Sequence, residues 1–456
     1  MGIRSFCSAC AVLMLAAVLA AWLYRPDLAI KAGTASTSRT LCGEIFISGL
    51  HANRVFAEEI RPQRGMQILL KRLRYTVDSQ RQQVVTTWAG HFAGVATYRE
   101  GYGCMLGDAE AGALGVAPNF PGSASSDIPE TPIAPVNSGL SEALDRAFAE
   151  PPKPPYRHVR AIVVMRDGRI IAERYAQGVG PSTPLIGYSV SKSVINALIG
   201  ILVREGKLSL YAPAPVGAWS SSGDPRHSIT LDQLLRMTSG LDLEESDSGF
   251  DPVSRMMFCE RDMAAYAEKA KLKSQPGRHW EYTSGNTLIV SAILRDAVGG
   301  HASDVLRFAH SELFDPVGMQ HVTMEFDDAG TPIGSTRIYA PARDWARFGE
   351  LYLNDGVADG KRILPEGWVT YSTKPTLDSP YGSGFWVNAG QSADARGRVQ
   401  AGMPADAYFA SGNFGQRIVI IPSQRLVIVR FGATVDPPDF DIRGLTRLVA
   451  DVIAAC

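Results

Sequence analysis

The chain has 456 residues, of which 45% are apolar and 20% are charged. A chain of this length is too long for one ordinary core, so two domains with tails are expected, and the composition is that of a globular protein. The formal net charge is −1. Without a basic excess or a run of Lys and Arg, the sequence excludes a surface built to hold a nucleic acid backbone.

Residues 1–26 form a hydrophobic N-terminal segment. Residues 6–24 contain no charged side chain, Arg4 precedes them, and Arg25 with Pro26 ends the stretch. An apolar run of about 20 residues is long enough to span a bilayer, and a secretory signal peptide has a similar arrangement. The pattern predicts an exported protein that is either periplasmic after cleavage or held at the inner membrane by this segment.

Residues 41–106 are predicted to form a small α+β domain. Residues 27–40 before it are rich in Ser, Thr, Ala and Gly and are predicted to be a polar tether. Residues 51–60 are typical of a helix, whereas 67–77, 83–88 and 92–99 carry the β-branched and aromatic residues of strands. A cap over a cleft and a spacer from the membrane are both consistent with this domain.

Cys42 and Cys104 bracket the predicted small domain and are two of six cysteines. In an oxidising compartment a disulfide between them would restrict the unfolded chain and stabilise the fold by about 2–4 kcal/mol. Two buried thiols are the alternative. No His or Cys cluster has the spacing of a metal site, so we expect no metal and no cofactor.

Residues 107–137 are rich in Ala, Gly, Pro and Ser and predict a linker to a domain at 138–456. Two apolar strands joined by Asp167-Gly168 begin this domain, and a second strand pair around Pro422-Ser423 lies near its end. Helical patterns fill the sequence between them. This order predicts one sheet whose first and last strands meet, with helices packed on it.

The segment 187–192, Gly-Tyr-Ser-Val-Ser-Lys, opens an apolar helical pattern. In the first turn of a helix, Ser189 and Lys192 lie on one face. A lysine held out of bulk water loses its charge more easily and becomes a general base for the hydroxyl. The N–H groups of the helix N-terminus suit a developing oxyanion. The motif predicts a serine nucleophile, although a short Ser-x-x-Lys pattern also arises by chance.

Two segments further along the chain fit the same chemistry. Tyr282 follows a Pro-Gly turn and precedes a predicted helix, and a phenol near a lysine ammonium has a lowered pKa and can shuttle a proton. Residues 408–413 combine small residues with Gly412 before the last strand pair, so that a substrate can approach the backbone and meet a second N–H donor. A core tyrosine and a simple turn with a β-bulge are the alternatives.

Four segments now occur in a fixed order: 189–192 (SVSK), 229–241 (ITLDQLLRMTSGL), 276–286 (PGRHWEYTSGN) and 342–368 (ARDWARFGELYLNDGVADGKRILPEGW). Together they resemble the β-lactamase-related serine hydrolases, which include class C β-lactamases, DD-peptidases, and esterases and amidases of that fold. Residues 284–287 (SGNT) and Gly415-Gln416 look most similar to the 6-aminohexanoate-dimer hydrolase branch. The resemblance covers residues 138–455. It implies an α+β fold in which helices flank an antiparallel sheet beside a helical subdomain.

The resemblance also implies a role for each matching position. Ser189 would be acylated, Lys192 would be the general base, and Tyr282 would be a second proton-transfer residue. The N–H groups of Ser189 and Asn413 would form the oxyanion hole. Substrate-binding positions would fall on Ser284, Asn286, Ala410, Ser411 and Gly412.

Two positions depart from the family pattern. Ser284 stands where Asn is usual, and Ala410 stands where a Lys usually contacts the carboxylate of a β-lactam. Both departures argue against an efficient β-lactamase or a strict D-Ala-D-Ala peptidase, and both look tolerable in the esterase and amidase members.

The leading hypothesis is therefore an exported serine hydrolase that acts on a small ester or amide substrate. One alternative is a non-catalytic ligand-binding module of the same fold, which would not need all of Ser189, Lys192 and Tyr282. A β-lactamase or D-Ala-D-Ala peptidase is another. A Ser-His-Asp hydrolase fits poorly, because Ser189 has no Gly-x-Ser-x-Gly context.

Overall fold

The computed structural model describes residues 25–63, 65–107, 114, 116–118, 130–435 and 438–456. Residues 1–24, which hold most of the hydrophobic segment, and much of the predicted linker lie outside these described residues. Within the described ranges, no helix is both long enough and apolar enough to cross a membrane.

Residues 25–107, apart from residue 64, form what we call the N-terminal unit. It consists of a long helix packed on an antiparallel sheet with the order β1-β2-β3-β4. Its elements are α1 (Pro26–Phe46), α2 (Ala52–Val55) with a π-helical continuation (Phe56–Ile60), α3 (Met66–Leu70), β1 (Leu73–Asp78), β2 (Gln83–Trp88), β3 (His91–Arg99) and β4 (Gly103–Leu106). The strands predicted at 83–88 and 92–99 are confirmed, whereas the first half of the strand predicted at 67–77 is helical.

Helix α1 shows that the prediction of a polar tether at residues 27–40 is wrong. Pro26 occupies the start of the helix and Asp27 its first turn, where a fixed φ and a negative charge are both favourable. The small residues that suggested a tether let the helix lie against β3. A Cβ atom on Gly94 would overlap the backbone of Thr34 and Ala35. Tertiary packing therefore stabilises a helix that the local composition does not predict.

A disulfide between Cys42 on α1 and Cys104 on β4 joins the helix to the far edge of this sheet, with 6.0 Å between the two Cα atoms. Both residues are fully buried. Cross-linking positions so far apart in sequence restricts the unfolded chain and so favours the folded N-terminal unit.

The described residues from 130 onward form the larger unit. It contains a six-stranded sheet, a three-stranded sheet, a two-stranded sheet and most of the helices that the structure describes. Its helices are α4 (Ser138–Phe148), α5 (Ser191–Arg204), α6 (Leu231–Leu235), α7 (Pro252–Cys259), α8 (Met263–Glu268), α9 (Ser284–Val298), α10 (Ala302–Ala309), α11 (Asp315–Val317), α12 (Ala342–Leu353), α13 (Trp368–Thr373), α14 (Ala393–Gln400) and α15 (Pro438–Ala455). Its strands are β5 (Val159–Arg166), β6 (Arg169–Tyr175), β7 (Pro184–Ile186), β8 (Thr323–Met324), β9 (Ile338–Pro341), β10 (Val357–Ala358), β11 (Lys361–Arg362), β12 (Trp386–Val387), β13 (Tyr408–Gly412), β14 (Gln416–Ile421) and β15 (Leu426–Gly432).

The six-stranded sheet has the order β12-β13-β14-β15-β5-β6, with every neighbouring pair antiparallel. Because β15 pairs with β5, the prediction that the first and last strands meet is confirmed. Side chains alternate between two apolar layers. Ile418 and Val427 face α12, where a Cβ on Gly349 would lie 2.6 Å from Val427, and the alternate residues pack with α4 and α15.

The segment with the predicted nucleophile leaves the small sheet β7-β9-β8 and enters a buried helix. Strand β7 ends at Ile186, Tyr188–Val190 form a 3₁₀ turn, and α5 begins at Ser191. Residues 191–202 of α5 are all buried. A helix that is buried on every side holds the turn before it in a fixed position.

We expect Gly94→Ala to lower the free energy of unfolding by about 1–3 kcal/mol, because overpacking must separate α1 from β3. Urea unfolding of the oxidised protein measures this difference. Gly217→Ala is the matched control, since a Cβ at exposed Gly217 meets no atom within 4 Å. A Gly94→Ala protein as stable as the wild type would contradict the close packing of α1 on the sheet.

Candidate active site

Ser189 lies in the 3₁₀ turn at the N-terminus of α5 and is half-buried. The residue before it, Tyr188, has a φ of 45°, in the left-handed region that bulky residues rarely adopt. The turn thereby changes the chain direction between β7 and α5, with Ser189 at its centre. The predicted nucleophile is thus the partly exposed residue of an otherwise buried segment.

The Lys192 amine is buried and contacts three oxygen atoms. Its Nζ donates to Ser189 Oγ, to Ser284 Oγ and to the carbonyl of Ser335, each at 3.1 Å. The side chain is only 3% exposed. The structure therefore places the predicted base within hydrogen-bond distance of the predicted nucleophile, as the spacing of three residues in a helical turn requires.

Burial lowers the pKa of Lys192 to about 8, against the opposing effect of the negative charges of Glu245 and Asp247. A lysine with such a pKa is deprotonated far more often at neutral pH than an exposed lysine. The neutral amine can accept the proton of Ser189 as the hydroxyl attacks, which is the requirement for a general base.

Tyr282 lies beside the Lys192 amine, two residues before α9. The Lys192 Nζ is 4.8 Å from the centre of the Tyr282 ring. Burial and the charge of Glu245 raise the pKa of Tyr282, and these effects outweigh a side-chain hydrogen bond with Ser189 that lowers it. The sequence-based expectation of a lowered pKa is thus wrong in direction, because the low-polarity surroundings of the phenol dominate. A protonated Tyr282 can still donate a proton.

Ser284 connects Lys192 to a carboxylate that the sequence analysis did not single out. The Ser284 Oγ accepts from Lys192 and donates to Glu245 Oε1 at 3.0 Å, and its backbone N–H donates to the other oxygen of Glu245. Ser284 is 1% exposed. Its contacts place it behind the base, where it links the amine to the charge of Glu245. In the sequence, Glu245 belongs to an acidic run over 242–247 that is typical of a solvated loop, so no local signal identifies it.

Asn286 is buried in the first turn of α9. Its Oδ1 accepts from Ser239 Oγ at 2.8 Å, and its Nδ2 contacts the sulfur of Met237 at 3.8 Å. These contacts join α9 to the segment 237–239, which belongs to the second of the four ordered motifs. Substrate binding by Asn286 stays a prediction.

The segment 408–413 contains β13, which lies close to the nucleophile turn, as we call the 3₁₀ turn Tyr188–Val190. A Cβ on Gly412 would overlap the carbonyl oxygen of Gly187, so this approach requires glycine. Ala410 is buried, Ser411 is half-buried and Asn413 is exposed just beyond the strand. The structure thus brings the strand that precedes Asn413 against the turn that contains Ser189, which is the arrangement a two-donor oxyanion hole needs.

Two aromatic side chains pack against Tyr282, and a third packs against those two. The rings of Tyr381 and Trp386 each lie 5.6 Å from the Tyr282 ring, and Trp280 lies 6.1 Å from Tyr381. Trp386 belongs to β12, the strand next to β13. We call Trp280, Tyr282, Tyr381 and Trp386 the aromatic wall. Sequence reasoning missed Tyr381 and Trp386 because only the sheet brings them to Tyr282.

In the parts of the chain that the structure describes, no group of His, Cys, Asp and Glu side chains is arranged to hold a metal ion. The expectation that the protein needs no metal and no cofactor stays a prediction.

With the geometry established, comparison with known proteins identifies the family. The model of the family described as Beta-lactamase matches residues 144–451, more than half of the chain. The chain belongs to the beta-lactamase family. Members of this family are serine hydrolases with a β-lactamase/transpeptidase-like α+β fold of antiparallel sheets and helices, so the predicted fold of the larger unit is confirmed. The match begins after the N-terminal unit.

Individual relatives agree with this assignment. The 6-aminohexanoate-dimer hydrolase of Paenarthrobacter ureafaciens is 25% identical over 321 residues, which cover 65% of this chain and 78% of that protein. A class C beta lactamase from Rhodobacter sphaeroides has a TM-score of 0.51 at 17% identity, covering 69% of this chain and 99% of its own. A family VIII carboxylesterase has a TM-score of 0.54 at 15% identity, covering 71% and 98%. The resemblance inferred from the four motifs is confirmed, and the two structures show that the fold is shared.

We expect the acylation rate of this beta-lactamase family member to rise with pH through a midpoint near 8, as the Lys192 amine loses its proton. Glu245→Gln removes a charge that stabilises the ammonium, so the midpoint should move to lower pH. Stopped-flow acylation by an activated ester between pH 6 and 9.5 measures both midpoints. Glu244→Gln, which changes an exposed neighbouring carboxylate, is the control. An unchanged or higher midpoint in Glu245→Gln would contradict this account.

Proposed function

We propose that the protein is a serine hydrolase that cleaves ester or amide bonds of small substrates through an acyl-enzyme on Ser189. The observation that carries the proposal is the 3.1 Å contact between Lys192 Nζ and Ser189 Oγ, at a lysine whose pKa burial lowers to about 8. A nucleophile paired with a base of this pKa is the minimum that nucleophilic catalysis requires.

In the acylation step, Ser189 Oγ attacks the carbonyl carbon of the substrate while its proton passes to the neutral Lys192 amine. Lys192 then keeps two acceptors, Ser284 Oγ and the Ser335 carbonyl, which suit the ammonium that forms. The negative charge on the former carbonyl oxygen is stabilised by the N–H groups of Ser189 and Asn413. Glu245 favours the same step because its charge stabilises the ammonium.

The leaving group must then receive a proton. Tyr282 is suited to deliver it, because its raised pKa keeps the phenol protonated and its ring lies beside the Lys192 amine that contacts Ser189. Lys192, 4.8 Å from the ring of Tyr282, can return the proton to the phenol. Water then attacks the acyl-enzyme with the same residues acting in reverse, which releases the acid and regenerates Ser189.

The substrate we propose is a small ester or a short linear amide without a required carboxylate. Ala410 provides no cation at the position where the family usually has lysine. The nearby guanidinium of Arg417 donates to the carbonyl groups of Gly412 and Gln416. The half-buried members of the aromatic wall, Trp280, Tyr282 and Trp386, offer an apolar surface beside the reacting atoms, which suits an aliphatic or aromatic acyl group. Hydrolase and carboxylesterase activities among the relatives support the same class.

We expect a fluorophosphonate probe to form one adduct on the full-length protein, at Ser189, by intact mass and peptide mapping. Ser189→Ala should abolish the adduct, and Lys192→Ala should slow its formation by about 10²–10⁴-fold, the usual contribution of a general base. Ser220→Ala and Lys207→Ala, which change exposed side chains, are the controls.

Turnover of p-nitrophenyl acetate, a linear aminohexanoate amide and nitrocefin then ranks the substrate classes, with the ester or the amide expected above the lactam. If nitrocefin is the best substrate, the assignment changes to a β-lactamase. If the protein forms no adduct and turns over none of the three, it is a ligand-binding module of this fold.

We further propose that the protein is exported and that residues 1–26 direct it to the periplasm or hold it at the inner membrane. The apolar run at residues 6–24 supports this location. The Cys42–Cys104 disulfide supports it as well, because such bonds persist in oxidising compartments.

We expect the protein in its native cells to fractionate with the periplasm or the membrane, with Cys42 and Cys104 resistant to alkylation in denaturant until a reductant is added. N-terminal peptide mapping of that fraction distinguishes a cleaved signal from a retained segment. A cytosolic protein with both thiols alkylated and an intact N-terminus would contradict export.

A further inference from the structure

A buried cluster of six charged side chains joins the N-terminal unit to the larger unit beside the nucleophile turn. Every member is at most 3% exposed. The cluster comprises Arg39, Glu44 and Glu59 of the N-terminal unit and Arg160, Glu325 and Arg337 of the larger unit. The ion pairs form two sets: Arg160 pairs with Glu44 and Glu59, and Glu325 pairs with Arg39 and Arg337. Pairing of this kind is what allows charges to be buried at all.

Arg160 fixes two carboxyl groups of the N-terminal unit to the six-stranded sheet. Its Nη1 donates to Glu44 Oε2 at 2.8 Å, and its Nη2 donates to Glu59 Oε1. Because Arg160 belongs to β5, Glu59 is held at a fixed place relative to the sheet that also carries β13. The group that contacts the second carboxylate oxygen of Glu59 is therefore also held at a fixed place relative to the sheet.

That second oxygen contacts the residue before the nucleophile. The hydroxyl of Tyr188 donates to Glu59 Oε2 at 3.1 Å. Burial, followed by the charges of Glu59 and Glu44, raises the pKa of Tyr188, so the phenol keeps the proton that it donates. A hydrogen bond from a neutral donor to a charged acceptor is stronger than one between two neutral groups.

Tyr188 needs such a contact because its backbone is strained. Its φ of 45° is unfavourable for a bulky residue, and conformations of this kind persist only where the surroundings impose them. Two contacts of the side chain are available for this purpose. One is the hydrogen bond to Glu59, and the other is the edge-on packing of its ring against Phe414, 4.9 Å between centroids.

The same side chain connects both predicted donors of the oxyanion hole. Tyr188 directly precedes Ser189, and Phe414 directly follows Asn413. Ile186, Tyr188, Tyr339 and Phe414 form one buried apolar cluster. A Cβ on Gly43 of α1 would overlap the hydroxyl of Tyr339. Helix α1 of the N-terminal unit therefore packs directly against this cluster.

We propose that Glu59 is a positioning residue for catalysis: through Tyr188 it holds the Ser189 turn, so the N-terminal unit completes the active site. This inference rests on the proposed function of Ser189. It also gives residues 41–106 a role other than the two that the sequence left open. The unit supports the nucleophile from behind, and neither a cap over the cleft nor a spacer from the membrane is needed to explain its presence.

The test compares full-length wild type, Tyr188→Phe and Tyr339→Phe. Tyr188→Phe removes only the hydroxyl that reaches Glu59 and keeps the ring on Phe414. Tyr339→Phe removes a hydroxyl from the same buried cluster, 3.5 Å from Arg337 Nη1, and leaves the Glu59 contact intact. For each protein we would measure Tm, kcat and KM for p-nitrophenyl acetate, the rate of fluorophosphonate labelling, and amide hydrogen exchange over residues 187–191.

In Tyr188→Phe we expect kcat and the labelling rate to fall about tenfold or more, because a turn that is no longer held presents Ser189 less often in the reactive geometry. KM should stay within about twofold, and exchange at 187–191 should be faster. Tyr339→Phe should lose comparable Tm without these changes. Unchanged kcat and exchange in Tyr188→Phe, or equal losses in both variants, would overturn the inference. If wild type is not labelled at Ser189, the proposed function fails, and exchange at 187–191 still decides whether Glu59 holds the turn.

Discussion

The buried Lys192 amine must find hydrogen-bond acceptors, and this requirement brings together the elements around the site. A buried ammonium is tolerated only if each of its three N–H groups has an acceptor. Here the acceptors come from the nucleophile turn, from the start of α9 and from the loop before β9. Because these three segments must converge on one nitrogen atom, the contacts that make Ser189 reactive also set how the helices and the small sheet pack together.

The electrostatics of the site divide the proton-transfer work between two residues. Burial disfavours the charged form of both Lys192 and Tyr282, so it lowers one pKa and raises the other. Glu245 opposes the first shift and adds to the second, since its charge stabilises an ammonium and destabilises a phenolate. The result is an amine that can accept a proton near neutral pH next to a phenol that keeps its own. One environment thereby supplies a base and an acid.

The sequence predicted what depends on short spacing and missed what depends on the fold. Ser189 and Lys192 share a helical turn, and Asp167-Gly168 joins adjacent strands, so both follow from local rules. Glu245, Tyr381 and Trp386 reach the site from distant segments and carry no local signal. The composition of helix α1 predicts a tether, because the small residues that allow close contact with β3 are also typical of flexible segments. The pKa of Tyr282 is raised mainly by burial of the phenol, and burial cannot be inferred from the charges that lie near Tyr282 in the sequence.

The ion pair between Arg39 and Glu325 has a consequence for the way the chain reaches its native state. It joins residues separated by 286 positions, and both side chains are almost fully buried. Closing so long a loop costs conformational entropy before any contact is gained. The N-terminal unit is made first, yet its buried arginine has no carboxylate partner until most of the larger unit exists. The pairing of Arg39, and with it the docked arrangement that brings Glu59 to the nucleophile turn, therefore requires residues of both units.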